Sequence, residues 1–193
     1  MLKFIAKRTL LLHSSLAHYS SNQKYPIIGA ESIMKTKGHG TCPEPVQHDL
    51  RFGCDYSTAD RICCYNRHYA EHSGYAFSPK LTWIKEIKEN AVKNGASAST
   101  TYYDSVTGKR LFTAPIGRTL WDFITESDDH GWPSFRDSEV DWTNVRCLKN
   151  GEVVSVDGTH LGHNLPDEKG NRYCINLVSI AGQSAEAENN VEL

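Results

Sequence analysis

Two rhythms of apolar residues divide this chain. From residue 78 the apolar positions Leu81, Ile84, Ile87 and Ala91 recur every three or four residues, which lines one face of a helix. Ser78 supplies an N-cap, Pro79 a first helical residue and Gly95 a stop, so the spacing predicts a helix over 78–94. "GASAST" then reads as a hinge. Beyond residue 100 the runs are short and strand-like: "TYYD", "RLFTA", "EVVSV" and "RYCINLVSI". Thr107-Gly108, Asp157-Gly158 and Lys169-Gly170 punctuate them as turns. The pattern predicts a mainly β fold, with an antiparallel β domain over 100–182 and a helix-containing extension over 24–99.

The two ends have neither rhythm. Residues 183–193 are polar and acidic, the composition of a disordered tail. Residues 1–23 carry Lys3, Lys7, Arg8 and several serines, and the first carboxylate of the chain is Glu31. That composition predicts a mitochondrial transit peptide and a matrix location. A secretory signal fits less well, because the apolar stretch "LLLHSSLA" is short and broken by His13, Ser14 and Ser15.

Charge and composition narrow the function. A net charge of −2 provides no field for a phosphate backbone, so nucleic acid is not an expected partner. No apolar run approaches the roughly 20 residues of a membrane span. Six cysteines in 193 residues are too sparse for a disulfide-built scaffold. In a mitochondrial matrix they are expected to stay largely reduced. Four of them, Cys42, Cys54, Cys63 and Cys64, fall close together with His68 and His72 nearby. This cluster admits three readings: a zinc site, a small satellite core, or a redox relay.

Toward the carboxyl end, His160 and His163 lie three apart, a spacing that can turn both imidazoles to one pocket. A zinc site there lacks two further ligands close in sequence. Trp132 fits a core or an apolar pocket wall. Cys174, between strand-like residues, fits either a buried inert thiol or a nucleophile.

Taken together, "GWPSF" (131–135), "HLGH" (160–163) and "RYCIN" (172–176), with "VTGKRLF" at 106–112, resemble the methionine-R-sulfoxide reductase B (MsrB) family. The resemblance covers 100–182 and implies a tent of two small antiparallel sheets. It further implies thiol-dependent reduction of methionine-R-sulfoxide, free or in proteins, through a sulfenic acid on Cys174. No organic cofactor is implied, and a thioredoxin or other dithiol is the expected reductant. Trp132 would hold the substrate methyl group. His160, His163, Arg172, Asn176 and Asp167 complete the implied site. Chemically, a thiolate is needed for attack on sulfur, and Arg172 is the nearest cation to favour it. A histidine titrating near neutrality would protonate the oxygen.

The chain also departs from the resemblance. Many family members bind zinc through two CxxC pairs, but here those positions fall at Asp104 and Thr107 and at Val154 and Asp157. Zinc is therefore left open. A common recycling-cysteine position is Val156, leaving Cys147 and the Cys63–Cys64 pair as candidates, or direct reduction by an outside thiol. Leu165 replaces an aromatic residue and Leu177-Val178 a polar-small pair, which predicts a reshaped pocket. Two other functions stay open: a non-catalytic binding or assembly protein, and a thiol reductase of a different small sulfoxide.

Overall fold

The computed structural model describes residues 24–185. The leader expectation for 1–23 and most of the tail expectation fall outside them. Three helices, α1 (Tyr56–Asp60), α2 (Trp83–Asn94) and α3 (Leu120–His130), accompany seven strands. The strands are β1 (Thr100–Tyr103), β2 (Arg110–Ala114), β3 (Ser134–Phe135), β4 (Val145–Cys147), β5 (Glu152–Ser155), β6 (His160–Asn164) and β7 (Tyr173–Ile175). β1 and β2 form an antiparallel hairpin, and the other five form an antiparallel sheet in the order β3-β7-β6-β5-β4. The fold is mainly β, with two antiparallel sheets.

Aromatic rings join the two sheets. Phe112 of the hairpin stacks on Phe135 of the larger sheet at 4.3 Å, and Tyr102 meets the same ring edge-on at 5.3 Å. Phe123 of α3 packs against Phe135, and Trp83 of α2 packs against Phe123. The Trp83 indole donates to the Tyr102 hydroxyl at 3.1 Å, so neither polar atom is buried unpaired. Each fully buried ring of this kind contributes about 1.5–3 kcal/mol.

Helix α2 begins at Trp83, five residues after the predicted Ser78. Tyr75–Phe77 form a 3-10 turn, and the Leu81 amide bonds to the Ser78 carbonyl at 2.9 Å. Pro79 thus occupies the second position of a β-turn, where its fixed φ is equally suited. The Thr82 amide is drawn to the Phe52 carbonyl, delaying the helix by another residue.

Helix α3 was not expected. Thr119 and Asp122 close a reciprocal capping box, Phe123, Ile124 and Ser127 face inward, and Gly131 ends the helix at φ 81°. The run "RYCINLVSI" is also only part strand, since Leu177–Ser179 turn as a 3-10 helix. At the start of the tail, Gln183 and Ala185 are bonded to the body through the Gln47 side chain and the Gly108 carbonyl.

Residues 24–99 lie against the β domain. Ile28 bridges in parallel to Cys147, covering the outer edge of β4. Arg51 and Gln47 donate backbone bonds to Ala181 and Ser105.

Candidate active site

The site begins as a consequence of strand register. Cys174, at the centre of β7, stands directly opposite His163 of β6 and Ser134 of β3. Opposed residues of an antiparallel pair share a face, so the sheet itself sets the imidazole beside the thiol. Gly162 allows the close approach: a Cβ there would meet the Cys174 carbonyl oxygen at 2.1 Å. Gly131 does the same for the neighbouring tryptophan, because a Cβ on it would strike Ser73 Oγ at 2.0 Å. It turns the chain from α3 into Trp132, whose indole donates to the Glu71 carbonyl at 3.2 Å.

A cavity of about 260 Å³ opens over these residues. Cys174, His163, Trp132 and Asn176 line it with Gly162 and Leu165, and His68, Tyr69 and Ala70 of the extension rim its mouth. Leu165 therefore stands in the cavity wall. Leu177 and Val178 do not, for both are fully buried in the core.

Burial governs the thiol. Withdrawal from water pushes the Cys174 pKa above the ordinary thiol value, and the Arg172 charge only partly offsets it. Arg172 favours the thiolate, through its charge and a side-chain hydrogen bond, but less than burial opposes it. Burial also lowers the His163 pKa, with the neighbouring His160 adding to the effect. Both effects favour the neutral imidazole.

The remaining predicted residues divide by place. His160 is buried behind His163, ring centroids 5.6 Å apart, with Nδ1 2.9 Å from Glu152 Oε1. Glu152 also accepts from Arg67 of the extension. His160 does not line the cavity. Arg172 is buried beside Cys174, and its Nε and Nη1 donate to no acceptor within hydrogen-bond reach. Asp167 Oδ2 is 3.5 Å from that Nε, an ion-pair contact only. Asp167 itself is exposed, bound through both oxygens to Arg136 at 2.8–3.0 Å, and absent from the cavity wall.

Asn176 is held at two points, with Nδ2 donating to the Leu161 carbonyl and Oδ1 accepting the Glu71 amide. Glu71 is the hub that the sequence did not reveal. Its carboxyl accepts the Leu177 and Val178 amides at 2.7 and 3.2 Å, while its own backbone holds Trp132 and Asn176. Burial raises its pKa to about 8. One residue of the extension therefore orients three parts of the site.

The recycling candidates do not gather at the cavity. Cys147 lies on β4, three strands from β7, a separation of about 14 Å at ordinary strand spacing. A disulfide tolerates a Cα separation of only about 7 Å. Cys64 is bonded to Cys42 in a disulfide, contrary to the expected reduced state. Cys63 is buried against Ser179 Oγ at 3.5 Å, and burial raises its pKa far above the thiol range. Among the described residues, no second cysteine lines the cavity.

The proposed zinc set is dispersed as well. Besides the Cys42–Cys64 disulfide, Cys54 sits near Tyr75, His72 packs on Tyr75, and His68 is at the cavity mouth. The two turns where the resemblance places zinc ligands are joined otherwise. Thr159 Oγ1 donates to the buried Asp104 carboxylate at 2.9 Å, and Lys109 pairs with Asp157 at 2.9 Å.

Comparison with known proteins supplies one partial likeness. The chain is 37% identical over 91 residues to a peptide methionine sulfoxide reductase MsrB of Methanosarcina mazei. The match takes in 41% of this chain and spans 64% of the relative's length. No protein-family model matches the chain, and no solved structure does. The likeness is to an MsrB protein, over part of each chain.

Proposed function

We propose that the chain reduces methionine-R-sulfoxide to methionine with Cys174 as nucleophile. The observation that carries this reading is the convergence of Cys174, His163, Trp132 and Asn176 on one small apolar cavity. The partial likeness to an MsrB protein supports it.

In the proposed reaction the Cys174 sulfur, as thiolate, attacks the sulfoxide sulfur. His163, charged in the reactive form, protonates the oxygen as negative charge builds there. In the resulting adduct the hydroxyl oxygen passes to the Cys174 sulfur: the new S–S bond and the substrate S–O bond break as a Cys174 S–O bond forms, methionine leaves, and Cys174 is left as a sulfenic acid. A dithiol of the thioredoxin kind then returns Cys174 to the thiol, becoming a disulfide and releasing water. With no second cysteine at the cavity, the outside thiol acts on the sulfenic acid directly. Trp132 presents an apolar face to the methyl group. Oxidised protein or free methionine sulfoxide is the substrate, and the mitochondrial matrix is the proposed location.

Leu165 at the wall and the His68–Ala70 rim favour a second reading, reduction of a different small methyl sulfoxide. An assay with dithiothreitol on separate R and S epimers of a methionine sulfoxide peptide decides between them when small methyl sulfoxides are run alongside. Reduction of the R epimer alone, lost in Cys174→Ser, is the expected result. Faster turnover of the small sulfoxide transfers the assignment to the second reading, and no turnover of any sulfoxide by folded protein ends both.

A further inference from the structure

The Cys42–Cys64 disulfide does not lie alone. His39 and Cys42 close a four-residue turn through paired backbone bonds at 2.9 Å each way. Gly40 makes that turn possible: at φ +58°, a Cβ there would meet the Cys64 carbonyl oxygen at 2.1 Å. Asp60 ends α1, and Cys64 follows one helical turn later. Two ligand-type residues at i, i+3 on a turn thus face two at i, i+4 on a helical segment. The spacing H-x2-C followed by D-x3-C repeats the logic of zinc sites built from a turn pair and a helix pair.

Geometry agrees with the spacing. Ligand atoms of His39, Asp60 and Cys64 all lie within 4.8 Å of one another, and the Cys42 sulfur is bonded to that of Cys64. A tetrahedral zinc site needs ligand atoms about 3.4–3.8 Å apart, a small adjustment. His39 Nε2 is 2.8–2.9 Å from the Asp60 carboxylate. Its Nδ1 is 3.0 Å from the Tyr65 hydroxyl, the outer hydrogen bond that orients a ligating imidazole.

We propose that these four residues form a redox-gated zinc site, closed by the disulfide when oxidised and by Zn²⁺ when reduced. A dithiol delivers two electrons and two protons to the S–S bond, leaving Cys42 and Cys64 as thiols and the reductant as a disulfide. Zn²⁺ then displaces both thiol protons and binds two thiolates with His39 and Asp60. Either state ties residue 42 to residue 64, so the fold of this segment survives both redox conditions. The sequence had offered Cys54, Cys63, His68 and His72 as ligands in place of His39 and Asp60.

The test uses the full chain and Co²⁺ as a spectroscopic probe, with Zn²⁺ competing. The phosphine-reduced protein should take up one equivalent of Co²⁺ with thiolate-to-cobalt absorption, and the oxidised protein none. Cys174→Ser should leave this unchanged, which separates the site from the cavity. His39→Ala and Cys64→Ser should each weaken binding at least 10-fold, and Asp60→Asn guards against a folding defect because the amide keeps a hydrogen bond to His39. Folded, reduced protein that takes up no cobalt, or binding indifferent to all three substitutions, overturns the proposal whatever the sulfoxide assay gives.

Discussion

Two cysteine environments in this molecule differ in what surrounds the sulfur. Cys174 is half-buried at the floor of a cavity, with a histidine opposite, a guanidinium beside it and free volume in front. Cys63 is a free thiol sealed in a small core with Ala59, Ile62 and Val178. Burial raises the pKa of both Cys174 and Cys63, so burial alone does not mark the reactive thiol. What separates them is access to a reactant and a charge aimed at the sulfur.

The sharpest way to break the comparison is to exchange the roles. Cys174→Ser is expected to lower sulfoxide turnover by at least about 1,000-fold, as removal of a nucleophile does. Cys63→Ser should leave the rate within roughly twofold and lower the unfolding free energy by about 1 kcal/mol. Parallel rate and denaturation measurements check both, and a Cys63 variant that loses turnover while folded restores the relay reading.

Trp132 comes next in size. Trp132→Ala empties one wall of the cavity and should lower kcat/KM by about 10–100-fold, mainly through KM. Selectivity between R and S epimers should fall with it. Unchanged selectivity removes Trp132 from the recognition of the methyl group.

Arg172 tests the electrostatic half of the comparison. A reactive form with thiolate and imidazolium together is a minor species when the thiol pKa is raised and the imidazole pKa lowered. Its population rises with pH up to the His163 pKa, stays level between the two, and falls above the Cys174 pKa. The profile should therefore be a broad plateau with an acid limb below the usual imidazole value and an alkaline limb above the usual thiol value. Arg172→Ala raises the thiol pKa further, which moves the alkaline limb up and lowers the plateau about tenfold per pK unit. An alkaline limb that stays in place shows that the guanidinium does not act on the sulfur.

These predictions rest on residues that the sequence disclosed to different degrees. The strands at "RLFTA" and "EVVSV" were legible because short β-rich runs flanked by glycine turns have few alternatives. Cys174, His163 and Trp132 were legible as motifs, and register then explains why Cys174 and His163 meet. Helix α3 carried its own signal, Thr119 and Asp122 three apart before Phe123 and Ile124, which strand-directed reading passed over. Glu71 carried none, and His68 was legible only as a metal-ligand candidate: both reach the site from about 100 residues upstream of Cys174, through contacts no local pattern encodes. The direction of the thiol pKa was hidden for a related reason. Sequence shows the adjacent arginine but not the depth of burial that outweighs it.

Glu71 supplies the smallest and most discriminating test. Desolvation raises its pKa to about 8, while the two backbone amides on its oxygens work in the opposite direction. An acid whose folded pKa exceeds its unfolded value of about 4.5 contributes stability present below that value and lost as pH rises through about 8. The loss should approach, at most, about 1.4 kcal/mol per pH unit across this window. Glu71→Gln mimics the protonated form, so at pH 7 it should change kcat/KM only about two- to threefold and keep the amide bonds in part. Its stability should decline less than wild type from pH 6 to 9, a slope read from denaturation midpoints. Equal slopes in the two proteins mean that the amides win and Glu71 is a carboxylate throughout. In that case its negative charge opposes thiolate formation at Cys174, and the glutamine variant should shift the alkaline limb downward instead.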